Sequence, residues 1–179
     1  MKSKVLLIIA AVAIVCGCVV GGTAAWLRGM ATVTNTFISG AISITLTETT
    51  GDTYELVPGA TVAKDPKVTV HAGSEACWLF VKIEEKNNLD AYISYTLADG
   101  WTALEDGVYY RVQAAVVAEV SYSILKDDQI TVTDTLTVAQ ATALKESGTY
   151  PTLKLTAYAV QQSGVADVTT AWEQAKNLS

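Results

Sequence analysis

The sequence predicts an all-β fold, an antiparallel two-sheet sandwich with one or two short helices at its periphery. Three observations carry that expectation. Threonine, which suits a pleated and half-buried surface, occurs 23 times, 22 of them after residue 25. Apolar and polar residues alternate with a period of two in several segments, the pattern of strands with one dry and one wet face. Turn-forming residues separate those segments, and strands wet on one face belong to antiparallel sheets rather than to a buried parallel one.

The first element is a targeting segment. Lys2 and Lys4 are followed by no charge until Arg28. Residues 5–20 form an apolar run, and Gly21-Gly22-Thr23-Ala24-Ala25 supplies small residues. This order describes a secretory signal peptide with cleavage between Ala25 and Trp26. Two alternatives stay open. The uncharged stretch 5–27 would span about 35 Å as a helix, enough for an uncleaved anchor, although Gly17, Gly21 and Gly22 weaken its far end. Val15-Cys16-Gly17-Cys18 loosely resembles a lipoprotein site with Cys18 acylated, but a cysteine in its second position is atypical. With cleavage or an anchor the lysines stay inside and the remainder goes outside. The expected organisation is therefore a signal peptide over 1–25, an N-terminal segment over 26–36 and one sandwich domain over 37–179, secreted, with membrane contact only through an uncleaved signal.

Removing that segment sharpens the composition. The 179-residue chain has 12 basic and 18 acidic side chains; losing Lys2 and Lys4 leaves 154 residues and 10 basic groups, a net charge near −8. An acidic chain is a poor match for nucleic acid, whose binding rests on neutralised phosphates. Cys16 and Cys18 leave with the signal, so Cys77 has no partner for an internal disulfide. A core of this size is stable without such staples, since a domain of about 150 residues buries about 70% of its unfolded surface.

Strands are expected where Ile42, Ile44 and Leu46 alternate with Ser43, Thr45 and Thr47, and where Val68 and Val70 alternate with Lys67, Thr69 and His71. Two more follow: Val108, Tyr110 and Val112 against Tyr109, Arg111 and Gln113, then Leu153, Leu155, Ala157 and Ala159 against Thr152, Lys154, Thr156 and Tyr158. Pro58-Gly59, in type II order, Asp99-Gly100, Asp106-Gly107 and Lys126-Asp127-Asp128 mark turns. Thr137 and Gln140 have capping-box spacing for a helix ending near Ser147-Gly148. Asp167 is placed to cap a second helix whose apolar stripe is Val168, Ala171, Trp172 and Ala175. Residues 76–83 break the alternation. Cys77, Leu79, Val81 and Ile83 suffice for a sandwich core, so Trp78 and Phe80 on the other face need a cover: the C-terminal helix, a loop, or a strand from another molecule. An intramolecular cover is favoured.

The residues give little to an enzyme. There is no HExxH, and one histidine, His71, cannot build a multi-histidine zinc site. It is expected as a solvated strand residue, with no sign of pairing to a serine or threonine. Glu84-Glu85, Glu105-Asp106 and Asp127-Asp128 lack calcium-loop spacing and read as surface or turn residues. Cys77, inside an apolar strand, reads as a small inert hydrophobe. Neither GxSxG nor a phosphate-binding glycine loop occurs. No catalytic residue, metal or cofactor is expected.

Gly21-Gly22-Thr23-Ala24-Ala25, Asn35-Thr36-Phe37, Gly40-Ala41-Ile42-Ser43-Ile44, Leu56-Val57-Pro58-Gly59 and Lys64-Asp65-Pro66 running into the 78–83 strand follow one another in an order that resembles the TasA/camelysin family of exported Gram-positive proteins. Later segments resemble clostridial members: Asp106-Gly107-Val108-Tyr109-Tyr110-Arg111, Leu125-Lys126-Asp127-Asp128, Thr156-Ala157-Tyr158-Ala159-Val160-Gln161 and Ala171-Trp172. The resemblance implies a jelly-roll-like sandwich, processing by a SipW-type signal peptidase, and self-association into cell-surface or biofilm-matrix fibres by N-terminal strand donation. The donor would be Trp26, Leu27, Met30, Val33 and Phe37, with Arg28 and Gly29 interrupting its apolar pattern; a frayed tail or an intramolecular first strand is the competing reading. A monomeric secreted binding module or adhesin is the alternative function. The metalloprotease activity attributed to camelysin-type relatives is disfavoured by the residues.

Overall fold

The computed structural model describes residues 26–28, 42–51 and 53–177. Among them the elements run β1 (Trp26–Arg28), β2 (Ile44–Thr47), β3 (Thr53–Glu55), β4 (Thr61–Ala63), β5 (Lys67–Val70), β6 (Cys77–Lys86), β7 (Ile93–Ser94), β8 (Thr102–Glu105), β9 (Val108–Gln113), β10 (Val120–Ser123), β11 (Gln129–Val132), α1 (Val138–Ser147), β12 (Thr152–Gln161) and α2 (Val168–Lys176). All pairings are antiparallel, and the protein is an all-β sandwich with two short helices.

One layer is the four-stranded sheet β12-β6-β9-β8. The other is made of two three-stranded ladders, β10-β5-β2 and β4-β11-β7. These are halves of one layer, because 61–70 runs antiparallel to 120–131 across a short break. There the Ile124 N–H donates to the Pro66 carbonyl at 2.9 Å and the Lys64 N–H to the Asp128 carbonyl at 2.8 Å. A 3-10 turn over Lys126–Asp128 fills the break, with Asp127 and Asp128 in the left-handed region at φ 56° and 52°. Short polar side chains tolerate that region best among non-glycine residues. Lys64 at this bend is only 1% exposed, and its ammonium meets Glu48 just beyond β2 at 2.6 Å.

The main core lies between the layers. Ile44, Leu46, Val68, Val70, Ile130 and Val132 from one side meet Cys77, Leu79, Val81, Ile83, Leu153, Leu155, Ala157 and Ala159 from the other. The β6–β12 ladder is the longest, running in register from Thr152↔Lys86 to Gln161↔Cys77. On the far face of the same sheet α2 forms a third layer: Ala171, Trp172 and Ala175 pack on Phe80, Val108, Tyr158 and Val160. Asp167 caps α2 by accepting from the Thr170 N–H at 2.8 Å. The capping box at α1 is formed in both directions between Thr137 and Gln140, and Gly148 ends that helix at φ 65°.

Strand β9 corrects one expectation. Its apolar set does not face the sandwich interior. Val108 and Tyr110 pair with Lys82 and Phe80 on the helix-covered face, while Tyr109 and Arg111 pair with Val81 and Leu79 toward the main core. The polar-looking set is the inner one. Gln113 is buried and accepts from the Tyr122 hydroxyl. The Arg111 guanidinium leaves the core along an aromatic path, 4.1 Å from the Tyr122 ring centroid and 5.4 Å from that of Trp101, and donates to the Asp99 carbonyl at 3.1 Å. Stacking on aromatic faces lets arginine end a core without a carboxylate partner.

The β8–β9 turn depends on Gly107. Its φ is +69°, and a Cβ there would lie 2.6 Å from the Ile83 carbonyl oxygen. That approach lets the Ile83 N–H reach the Gly107 carbonyl at 2.7 Å, tying the hairpin onto β6.

Candidate functional site

Three places concentrate features beyond packing: the N-terminal ribbon, the outer face of β6, and the solvent face of β10-β5-β2.

The ribbon is β1 paired with β3, in the register Trp26↔Glu55, Leu27↔Tyr54 and Arg28↔Thr53. It is a separate two-stranded sheet that shares no ladder with the sandwich strands among the described residues. An isolated two-stranded ribbon has little stability of its own. Of the residues expected in a donor strand, Trp26 and Leu27 lie in β1; Met30, Val33 and Phe37 lie outside the described residues, as does Ala25 at the expected cleavage site.

The outer face of β6 is divided. Phe80 is fully buried, its ring centroid 5.3 Å from that of Trp172, which also meets Tyr158 edge-on at 5.5 Å. The Trp172 indole N–H donates to Glu105 at 2.6 Å. Helix α2 is therefore the cover for Phe80. Trp78 is half-buried, edge-on to Tyr110 at 6.1 Å, and its cross-strand neighbour Val112 is 56% exposed. The buried Trp78 indole N–H has no hydrogen-bond partner among the described residues.

The solvent face of β10-β5-β2 is a polar ladder. Thr45, Thr69 and Ser121 lie side by side in register, and the Thr69 and Ser121 hydroxyls hydrogen-bond at 2.7 Å. In the next row His71 keeps the solvent exposure expected of it, its side chain 37% exposed, but corrects the expectation that it pairs with no hydroxyl. Its Nε2 lies 2.6 Å from Thr45 Oγ1, and its Nδ1 lies 2.8 Å from a Glu119 carboxylate oxygen. The contacts span 26 and 48 positions in the chain. No local motif signals them; only the register of three strands could have found them. At the other end of the face Lys67 pairs with Asp128 at 3.0 Å, a contact that raises the pKa of the lysine.

The remaining candidates are structural. Cys77 is fully buried, and burial pushes its thiol up to about 11, far from a nucleophilic thiolate. Glu84 is held below its ordinary value chiefly by the Lys154 ammonium at 2.9 Å. Glu85 accepts from the Tyr95 hydroxyl at 2.5 Å; burial first, then that bond, raises the tyrosine's pKa. Among the described residues no three His, Cys, Asp or Glu side chains converge to hold a metal. Two adjoining depressions of about 130 and 580 Å3 flank β7 and share Ser94, Tyr95 and Thr96. Among the described residues no helix is long and apolar enough to cross a membrane.

Compared with protein-family models, curated proteins and solved structures, the chain matches none.

Proposed function

We propose that the protein is an exported structural subunit of the cell surface or biofilm matrix, related to the TasA-like proteins and assembling with copies of itself by donation of its N-terminal strand. The observation that carries this reading is the β1–β3 ribbon, whose three-residue ladder is separate from those of the sandwich. A strand held by so few hydrogen bonds exchanges readily for the same strand of a neighbour, because equivalent hydrogen bonds re-form in trans. Trp78 beside exposed Val112 adds an apolar patch outside the cover of α2 that a neighbouring subunit would bury. Export rests on the segment before Trp26, with SipW-type signal peptidase as the processing partner.

The test compares protein beginning at Trp26 with protein beginning after Phe37, by negative-stain microscopy and size-exclusion chromatography. Filaments from the longer form alone support strand donation. Monomers from both at high concentration overturn it. The groove beside β7 favours the second reading, a monomeric surface-binding module; retention on a glycan or host-protein surface without filaments would select it.

A further inference from the structure

Thr45, His71 and Glu119, drawn from two adjacent rows of this face, have the order of a nucleophile, a base and an orienting carboxylate. An ionised Glu119 can only accept, so the proton between them sits on His71 Nδ1. In the neutral imidazole Nε2 is then the acceptor, and the Thr45 hydroxyl donates to it across 2.6 Å. That is the relation in which a histidine takes the proton of an attacking hydroxyl while a carboxylate fixes its tautomer and orientation. The neighbouring hydroxyls are different: Thr69 and Ser121 face one another at 2.7 Å, outside the imidazole's contacts. Glu119 lies on the β9–β10 connection, and Lys67, two rows along β5, is engaged by Asp128 at 3.0 Å. Thr45 is half-buried and the His71 side chain is 37% exposed, so the pair borders solvent.

We propose that Thr45 is an activated hydroxyl that takes an acyl group from an activated ester, with His71 as its general base and Glu119 as the positioning residue. The Thr45 oxygen attacks the ester carbonyl carbon, and its proton passes to His71 Nε2. The tetrahedral adduct collapses, the bond to the leaving oxygen breaks, and Nε2 returns the proton to that oxygen or to water. One ester is exchanged for another, Thr45–O–CO–R, with no change of oxidation state. The site is a modification site on the solvent face of the sandwich, independent of whether copies assemble.

The probe is p-nitrophenyl acetate added to the purified full chain, followed by release of p-nitrophenol and by tandem mass spectrometry to locate the acetyl group. Acetylation on Thr45 is expected, and Thr45→Val, which keeps the shape and the strand preference, removes it. His71→Gln slows it by about 100-fold, the lower range of general-base catalysis. Glu119→Gln lowers the maximal labelling rate several-fold without changing half-saturation or the melting temperature, and Glu119→Asp restores part of it. Acetyl groups found only on lysines, His71 or the amino terminus overturn the proposal, as does labelling of Thr45 at an unchanged rate in His71→Gln.

Discussion

Asp65 ties two stretches of backbone together through one carboxylate. It accepts from the Thr49 N–H at 2.8 Å, the Thr50 N–H at 3.0 Å and the Thr49 hydroxyl at 2.5 Å. Desolvation acts to raise its pKa, but the bonds from Thr49 and Thr50 prevail and hold it far below the ordinary 3.8. A carboxylate depressed in the folded state contributes stability that is present above its unfolded pKa and lost as pH falls through the folded one. Melting temperature measured from pH 7 downward should therefore show Asp65→Asn below the parent protein at neutral pH. The gap should begin to narrow near about pH 5, where an unfolded aspartate starts to protonate, and shrink further in stronger acid. A gap that stays constant into strong acid would show that these hydrogen bonds contribute nothing through ionisation. Lys64, next in the chain, works differently: its ion pair with Glu48 is buried on both sides, so its role is to satisfy a charge enclosed at the bend.

At the scale of elements, α2 converts a sandwich into a three-layer structure. Its stripe of Ala171, Trp172 and Ala175 is buried, and Trp172 supplies both the aromatic contacts to Phe80 and Tyr158 and the bond to Glu105. Trp172→Ala should cost about 3–5 kcal/mol, the range for truncating a large buried aromatic side chain. Urea unfolding gives the loss, and binding of an apolar dye reports exposure of the face around Phe80; a loss under about 1 kcal/mol would mean that α2 is dispensable as a cover. Both helices were legible in the sequence because their signals are local: a cap, a partner three residues on, and an apolar stripe. The strands were legible as strands. Period two in β9 revealed two faces but not which of them met the sandwich interior, since that depends on α2, which lies far along the chain. The contacts of His71 were illegible for the same reason: Thr45, His71 and Glu119 come from three segments, and only the fold brings them together.

For the whole molecule, net charge sets the terms of any self-association. The chain carries a formal charge of −6, and the loss of Lys2 and Lys4 would make it more acidic. Copies approaching one another repel until salt screens them, and the Debye length falls from about 10 Å at 0.1 M to about 3 Å at 1 M. Assembly of the Trp26-initiated form, followed by light scattering, should therefore speed up with added sodium chloride; slowing instead would point to attractive ion pairs as the driving contacts. The β6–β12 ladder bears on how such a protein comes into being. It brings together residues 70 positions apart, such as Glu84 and Lys154, and its two strands line both the sandwich interior and the face that α2 covers. Contacts this distant in sequence form late, after the entropy of a long loop has been overcome. During synthesis neither core can close until β12, near the end of the chain, has emerged, and the face around Phe80 stays open until α2 follows it. A chain whose cores remain open that late is easier to pass through a narrow passage than one already closed, and its last two elements end that opportunity.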